Sequence, residues 1–253
     1  MADDAGVSEP SAIVRYRVPA PGSAWIEDER MQMSLVVQAA GGEVPVQREK
    51  RIRRRVEVFG ANPRIVTRAR ISYLEHAVIE RRALAERTRP SPIAGKRYVL
   101  DATGGAVAVA TDGGEAPADE AAAVCAEEKR FGKPETLAMV VAGLRYRVGE
   151  PVAVPPATAA RLFPGDLEVT ALELTLLEHG ERDARFAIRL AMRGASAGVE
   201  TRADAAGTLR VDADTAQPLE MKLVGPVHLT GAIVADGTLE IVATREPDPA
   251  WGN

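Results

Sequence analysis

The feature that most constrains the fold is a two-residue alternation of apolar and polar side chains. In its clearest run, large apolar residues occupy every second position from Phe186 to Met192, and Arg185, Arg189 and Arg193 take the opposite phase. The same rhythm recurs at 31–37, 209–213, 219–223 and 239–243. Successive side chains of a β-strand point to opposite faces, so the pattern predicts strands with one buried face and one wet face.

The alternating runs are separated by short stretches rich in glycine, aspartate or proline, as at 39–42, 194–198 and 214–218. The pair Asp236-Gly237 is expected to form a tight hairpin turn, because both residue types tolerate positive φ. Short turns of this kind join neighbouring antiparallel strands. We therefore predict a mainly β chain with a few helices (α+β), built on a large curved antiparallel sheet or half-barrel.

The middle of the chain loses the alternation and predicts a helical connector near residues 117–163. Proline and glycine punctuation places three helices there, at 118–130, 135–142 and 156–163. A further segment, Ile71 to Arg87, contains neither glycine nor proline and suits a strand or a helix. The alternation that leads into it favours the strand.

The expected organisation has three parts: a flexible leader at 1–11, a single β-rich domain at 12–246 and a tail at 247–253. An alternative divides the domain into two pseudo-repeated lobes joined by helices: 12–115 and 166–246, with the helices within 116–165. This alternative rests on short repeated fragments, such as Arg15-Tyr-Arg-Val18, which recurs as Arg145-Tyr-Arg-Val148.

Composition limits the classes of partner and location. Aromatic residues make up 4% of the chain and its net charge is −4. Nucleic-acid binding draws on clustered positive charge and stacking rings, so a nucleic-acid partner is not expected. The single cysteine, Cys125, excludes an intrachain disulfide and is expected to be a small buried thiol. No apolar run predicts a membrane span and no signal peptide is recognised, so we expect a periplasmic or outer-membrane-anchored protein if a signal was trimmed, and a cytoplasmic one otherwise.

The motifs for catalysis and metal binding are incomplete. Gly194-Ala-Ser-Ala-Gly198 matches a nucleophile elbow, and His228 follows in the chain order of a hydrolase. An elbow serine is followed by a helix, whereas a strand pattern follows Ser196, so the segment is interpreted as a hairpin loop. Asp212 and Asp214 resemble the start of a calcium loop but lack its later glycine and glutamate. We predict no catalytic, cofactor-binding or metal-binding residues, and a hydrolase that uses Ser196 stays the second alternative.

The densest basic run extends from Arg48 to Arg55. If it forms a strand, Arg51, Arg53 and Arg55 face outward, while Arg54 faces inward among apolar neighbours. The simplest interpretation is a solvated edge strand whose charges prevent edge-to-edge pairing. The functional alternative is a surface on which Arg51, Arg53 and Arg55 contact an anion or an acidic partner.

Several stretches of the chain, namely Gly95 to Asp101, Gly132 to Pro134 and Gly207 to Asp214, resemble uncharacterised exported proteins or lipoproteins of myxobacterial type. The resemblance implies a periplasmic or surface location and a sheet-plus-helix half-barrel similar to the Lol-type periplasmic lipoprotein carriers. It assigns no catalytic residues and no cofactor.

The leading hypothesis is a non-enzymatic binding or structural protein of the cell envelope that holds a hydrophobic ligand in a curved sheet. Lipid or another envelope protein is the expected partner. The motivating pattern is the series of inward Met, Leu and Val positions, with helices available to cover an open end. The first alternative is a protein-interaction module that uses the basic strand Arg48 to Arg55.

Overall fold

The computed structural model describes residues 14–82, 85–160, 162 and 167–248. Within these residues the chain forms thirteen strands and three α-helices. The strands are β1 (Ala24–Ala39), β2 (Gly42–Ala61), β3 (Val66–Arg82), β4 (Ala85–Pro90), β5 (Arg97–Asp101), β6 (Ala108–Thr111), β7 (Gly114–Glu115), β8 (Pro151–Ala153), β9 (Leu167–His179), β10 (Asp183–Ser196), β11 (Val199–Asp212), β12 (Pro218–Gly231) and β13 (Ala235–Pro247). The helices are α1 (Ala118–Glu127), α2 (Thr136–Ala142) and α3 (Pro156–Ala159).

All of these strands belong to one antiparallel sheet. Their order across the sheet is β7-β6-β5-β3-β2-β1-β13-β12-β11-β10-β9-β8, and β4 pairs with β3. The first and last strands therefore lie side by side in the middle of the sheet, and we call their contact the seam. We call β1 to β7 the N-half and β8 to β13 the C-half. The sheet is not closed into a barrel, and the prediction of a mainly β chain on one large antiparallel sheet is confirmed.

The three helices lie within the helical region predicted at 117–163, and each is shorter than expected, α2 by a single residue. Pro117 and Pro155 directly precede α1 and α3, which suits proline because the first helical N–H groups have no partner within the helix. Helix α1 ends at Glu127 instead of residue 130, and turns lead from there to Gly132, whose φ is +72°. Gly143 ends α2, as predicted, and its N–H donates to the Met139 carbonyl.

The C-half buries the apolar phase of its strands against α2 and α3. We call the face that the helices cover the inner face. Phe186 and Leu190 are buried there, and Arg189 of the same strand is exposed on the outer face. Helix α2 packs on this surface through Ala138 and Val141, which are also buried. The two-residue alternation is therefore confirmed as a division between inner and outer faces.

The N-half has its own apolar cluster under α1. Ile71 and Tyr73 of β3 pack with Tyr98 and Leu100, and Val124 of α1 covers them. The strand predicted from Ile71 onward is confirmed over the described residues, since β3 runs to Arg82 and pairs with both β2 and β5. Residues 83 and 84 lie outside the described ranges.

Glycines on the inner face mark places where neighbouring strands approach closely. A Cβ on Gly225 would lie 1.9 Å from the carbonyl oxygen of Asp204, and a Cβ on Gly237 would lie 1.9 Å from that of Ser34. The hairpin predicted at Asp236-Gly237 is wrong, because Gly237 lies inside β13 and the turn occupies residues 232–234. Glycine is required at position 237 for the approach of β1, not for a positive φ.

The apolar residues of the two halves form separate clusters on one continuous sheet. The predicted single domain and the two-lobe alternative both stay predictions. The predicted leader and residues 249–253 of the predicted tail lie outside the described ranges.

Candidate functional site

A row of polar residues crosses the seam on the inner face. Its members lie directly opposite one another on four adjacent strands: Arg245 of β13, Glu27 of β1, Arg54 of β2 and Tyr73 of β3. We call them the polar row. The two-residue phase of each strand points these side chains inward, toward the helices. The row therefore interrupts an inner face that is otherwise mainly apolar.

Glu27 is the centre of the polar row. Its Oε2 accepts a hydrogen bond from Arg54 Nε at 2.6 Å, and its Oε1 accepts one from Arg245 Nη2 at 2.7 Å. The indole Nε1 of Trp25 also donates to Oε1, at 2.8 Å. The Arg245 guanidinium stacks over the Trp25 ring, 4.8 Å from its centroid. Every partner of this carboxylate is a donor, so its negative charge is well satisfied.

The C-terminal end of α1 adds two more carboxylates. Glu128 Oε1 accepts from Arg54 Nη1 at 2.5 Å and from the Tyr73 hydroxyl at 2.8 Å. Glu127 Oε2 accepts from Lys50 Nζ at 2.7 Å, and its Oε1 lies 3.2 Å from His76 Nε2. Polar contacts therefore tie α1 to the sheet at the edge of the polar row.

Burial and charge pairing fix the ionisation of these groups. Burial alone would raise the pKa of the Glu27 carboxyl, but Arg54, Arg245 and the Trp25 indole hold that pKa well below its ordinary value. Burial raises the pKa of Glu128 despite the nearby Arg54. Burial and the adjacent Glu128 carboxylate raise the pKa of Tyr73 above its ordinary value, so its hydroxyl stays a donor.

The lowered pKa of Glu27 makes part of the stability depend on pH. A carboxyl whose folded pKa lies below its unfolded value of about 4.5 stabilises the fold above that pH, and this contribution is lost as the pH falls toward the folded pKa. In urea unfolding from pH 7 to pH 3, we expect Glu27→Gln to be less stable than the wild type at pH 7. The difference should shrink below about pH 4.5. Glu29→Gln, on the same face of β1 but outside the polar row, is the control, and an equal pH-dependent difference there would contradict the assignment.

Three of the four members of the polar row lie on the floor of a cavity of about 250 Å³ between the sheet and the segment that joins α1 to α2. Glu27, Arg54 and Arg245 line it from the sheet, and Glu127 and Glu128 line it from the end of α1. Its remaining walls include apolar side chains such as Val56, together with charged groups of the joining segment. We call this space the polar cavity.

A smaller cavity of about 150 Å³ lies beside it, under α2 in the C-half. Its apolar lining consists of leucines, an isoleucine and a methionine: Leu137, Leu162, Leu172, Ile188, Leu190, Met221 and Leu223. We call it the apolar cavity. Arg130 and Glu135 line both spaces, so they stand at the boundary between the polar and apolar cavities.

The segment from Arg130 to Glu135 makes a close approach at Gly132, next to the residue that follows β5. A Cβ on Gly132 would lie 2.5 Å from the Cβ of Ala102, and the residue has a φ of +72°. Both conditions favour glycine. We call this segment, which is a short part of the helical region predicted at 117–163, the connector. Its charged side chains line the polar cavity together with the polar row.

Two wider depressions, of about 1060 Å³ and 420 Å³, lie on the outer face of the C-half. The larger one is open and lined by solvated charged groups such as Arg193 and Arg202. It contains His228, whose Nδ1 lies 2.6 Å from Asp236 Oδ1. Ser196 is not part of its lining, because this serine ends β10 at a two-residue hairpin turn. The interpretation of Ser196 as part of a hairpin is confirmed.

The basic strand, β2, has the phase that its sequence predicted, but the expectation of an edge strand is wrong, because β2 pairs with β1 on one side and β3 on the other. Arg51, Arg53 and Arg55 lie on the outer face and Arg54 lies on the inner face, as the pairing of β2 with β1 shows. Each outer arginine has a carboxylate of the same chain nearby. Arg51 Nε lies 2.6 Å from Glu49, Arg53 Nε lies 3.9 Å from Asp28, and Arg55 Nε lies 2.5 Å from Asp248. A partner contact through these arginines stays a prediction.

Other sequence-based expectations have mixed outcomes. Cys125 is exposed on α1, so the expectation of a buried thiol is wrong: the adjacent Val124 takes the inward position of the helix. Over the described ranges, no three His, Cys, Asp or Glu side chains converge in a way that could hold a metal ion. Among the helices that the structure describes, none has both the length and the apolar character needed to cross a bilayer.

Comparison with known proteins assigns no family. No protein-family model matches the sequence, and no curated protein matches it. Lipovitellin, whose structure was described for its lipid–protein interactions, aligns at 8% identity and a TM-score of 0.45, over 92% of this chain but only 26% of the lipovitellin chain. DynF from the dynemicin biosynthesis pathway of Micromonospora chersina aligns at 11% identity and a TM-score of 0.26, over 96% of this chain and 89% of that one.

Sequence reasoning found one member of the site and missed the others. The inward phase of Arg54 among apolar neighbours was visible in the alternation of β2. Glu27 and Arg245 carry the same signal, because each is a charged residue in the inward phase of its strand. Their meeting depends on the seam, which brings together residues far apart in the sequence.

Proposed function

We propose that this protein is a non-enzymatic binding protein that holds a small amphiphile, with its polar head in the polar cavity and its hydrocarbon chain in the apolar cavity. The observation that carries the proposal is the boundary at Arg130 and Glu135, where a cavity floored by ionic side chains adjoins one lined mainly by leucines. An amphiphile needs the same division between charged and apolar surroundings.

The sizes and chemistry of the two cavities favour a ligand with one chain. Together the cavities lie near the lower end of the roughly 300–1,000 Å³ typical of small-molecule sites. Burial of apolar surface contributes about 25 cal/mol per Å², so a chain enclosed by residues such as Leu190 and Leu223 would supply most of the binding free energy. The polar groups that line the polar cavity would fix the orientation of the ligand.

The proposal includes a location in the cell envelope, where amphiphiles are abundant. Its support is the sequence resemblance to exported proteins given above. Fractionation of cells that produce the protein from its complete native gene tests this part separately. Recovery in the periplasmic or membrane fraction is the expected result. Recovery with cytoplasmic proteins alone would overturn the proposed location and leave the proposed ligand unaffected.

A substitution that fills the apolar cavity tests whether the hydrocarbon chain binds there. Met221 lines that cavity and is partly buried, so Met221→Trp should occupy the space intended for the chain. We expect the affinity for a single-chain amphiphile to fall by at least about tenfold, equivalent to about 1.4 kcal/mol. The measurement is displacement of a fluorescent fatty-acid analogue from delipidated protein, below the micelle concentration of every ligand.

Met139→Trp is the matched control, because Met139 lies on the exposed side of α2. Its affinity should stay within about twofold of the wild type. Urea unfolding of both variants shows whether overpacking, which typically costs about 1–3 kcal/mol, has affected the fold. Failure of the wild type to bind any single-chain amphiphile, or equal affinities in two folded variants, would overturn the proposal.

A further inference from the structure

The charges that line the polar cavity fall into two groups. On the sheet side, the polar row and the end of α1 supply two guanidinium groups and three carboxylates, those of Glu27, Glu127 and Glu128. Arg54 is bonded to Glu27 and Glu128, and Arg245 is bonded to Glu27 and Gln217. Glu127 is paired with Lys50, and the other ionic groups pair with one another, so the floor of the cavity offers a ligand little net charge.

The connector supplies the second group. Arg130 and Lys133 bring two positive charges to the cavity lining, and Glu135 brings a negative one. The Arg130 guanidinium donates to the carbonyl oxygens of Leu162 and Pro134, each at 3.4 Å, and these contacts hold its charge at the boundary with the apolar cavity. Charges of both signs are therefore presented within one short segment.

Aromatic rings stand beside these charges. Phe131 of the connector and Tyr16 both line the polar cavity. Burial raises the pKa of Tyr16, and Glu135 lies close enough to affect that pKa as well. A carboxylate next to aromatic faces is the environment that binds ammonium groups, by charge pairing and by cation–π attraction. Guanidinium and lysine side chains are the usual partners of phosphate.

We propose that the head of the bound amphiphile is zwitterionic, with its phosphate at Arg130 and Lys133 and its ammonium group at Glu135 and the neighbouring rings. This inference rests on the proposed function and names its ligand class. A simple anion would meet the like charge of the Glu135 carboxylate, and a simple cation would meet the like charges of Arg130 and Lys133. A head that carries both charges can place each of them beside an opposite charge of the connector.

The test compares amphiphiles that share the same saturated chain and differ in the head group. Lysophosphatidylcholine and lysophosphatidylethanolamine are the zwitterions, the free fatty acid and lysophosphatidylglycerol are the anions, and the alkyltrimethylammonium ion is the cation. Each competes with the same fluorescent probe, below its micelle concentration. The zwitterions should bind at least about tenfold more tightly than either other class, a difference of about 1.4 kcal/mol.

Two charge-removing variants test the ammonium contact and the phosphate contact of the head separately. Glu135→Gln should weaken the zwitterions and the cation by about tenfold while sparing or strengthening the anions. Lys133→Gln should weaken the zwitterions and the anions instead. Glu115→Gln, an exposed change on β7 outside the cavity lining, is the matched control and should alter no affinity.

The outcomes separate this inference from the function on which it rests. Equal or tighter binding of the anions or the cation by the wild type would overturn the zwitterionic head and leave an amphiphile-binding protein. A zwitterion preference that neither variant changes would overturn the connector as the head site. Absence of binding for every compound would overturn the proposed function itself.

Discussion

Replacement of Arg54 by methionine is expected to lower the free energy of unfolding by about 3 kcal/mol, because it leaves two largely buried carboxylates short of a partner. Arg54 bridges Glu27 and Glu128 through bonds of 2.6 and 2.5 Å. Methionine preserves much of the length of the side chain but none of its donors. Urea unfolding at pH 7 measures the loss directly.

Arg53→Met is the matched control, because it makes the same substitution on the adjacent residue and the opposite face. Arg53 is 53% exposed and lies 3.9 Å from Asp28, which is itself 58% exposed. Exposed ion pairs of this kind contribute about 0–1 kcal/mol, so a small change is expected. Equal losses in the two variants would show that the polar row is not a stabilising element of the inner face.

A comparably large effect is expected for Gly225→Ala. The added Cβ would lie 1.9 Å from the Asp204 carbonyl oxygen and 2.7 Å from Ala205 Cα, so β11 and β12 must separate to admit it. Overpacking typically costs about 1–3 kcal/mol, and a clash with backbone that cannot rotate away belongs at or above the upper end of that range. A fall in the urea midpoint at an unchanged slope is the expected signature.

Gly41→Ala provides the comparison for this change. Gly41 lies at the tip of the β1–β2 hairpin, where an added Cβ meets nothing within 4 Å and φ is outside the left-handed region. We expect a change within about 0.5 kcal/mol. If Gly225→Ala were as mild as Gly41→Ala, the close approach of β11 and β12 would not be a requirement of the fold.

The sheet could be predicted well because the two-residue alternation that marks each strand is visible within that strand alone. The inward phase of Phe186 and Leu190 follows from neighbours two residues away, and the same phase pointed Arg54 inward. The error at Asp236-Gly237 came from the same local reasoning. A glycine that permits a tight turn and a glycine that permits a close strand contact look alike until the neighbouring strand is known.

The candidate site was less predictable because it depends on contacts between distant parts of the chain. Glu27 and Arg245 meet only through the pairing of β1 with β13. The connector lines the same cavity as these residues, and its position there depends on the close contact between Gly132 and Ala102. No local pattern specifies which strands of an antiparallel sheet become neighbours at such a distance.

The seam also has a consequence for biosynthesis. Strand β1 has 16 residues, and its partner on one side is the last strand of the sheet to be translated. At about 5–20 residues per second, the stretch between these two strands takes roughly 10–40 s to emerge from the ribosome. During that interval the nascent N-half presents an open strand edge, the kind of surface on which polypeptides misassemble. The pairing that completes the sheet therefore also ends the period in which a newly made chain is most vulnerable to aggregation.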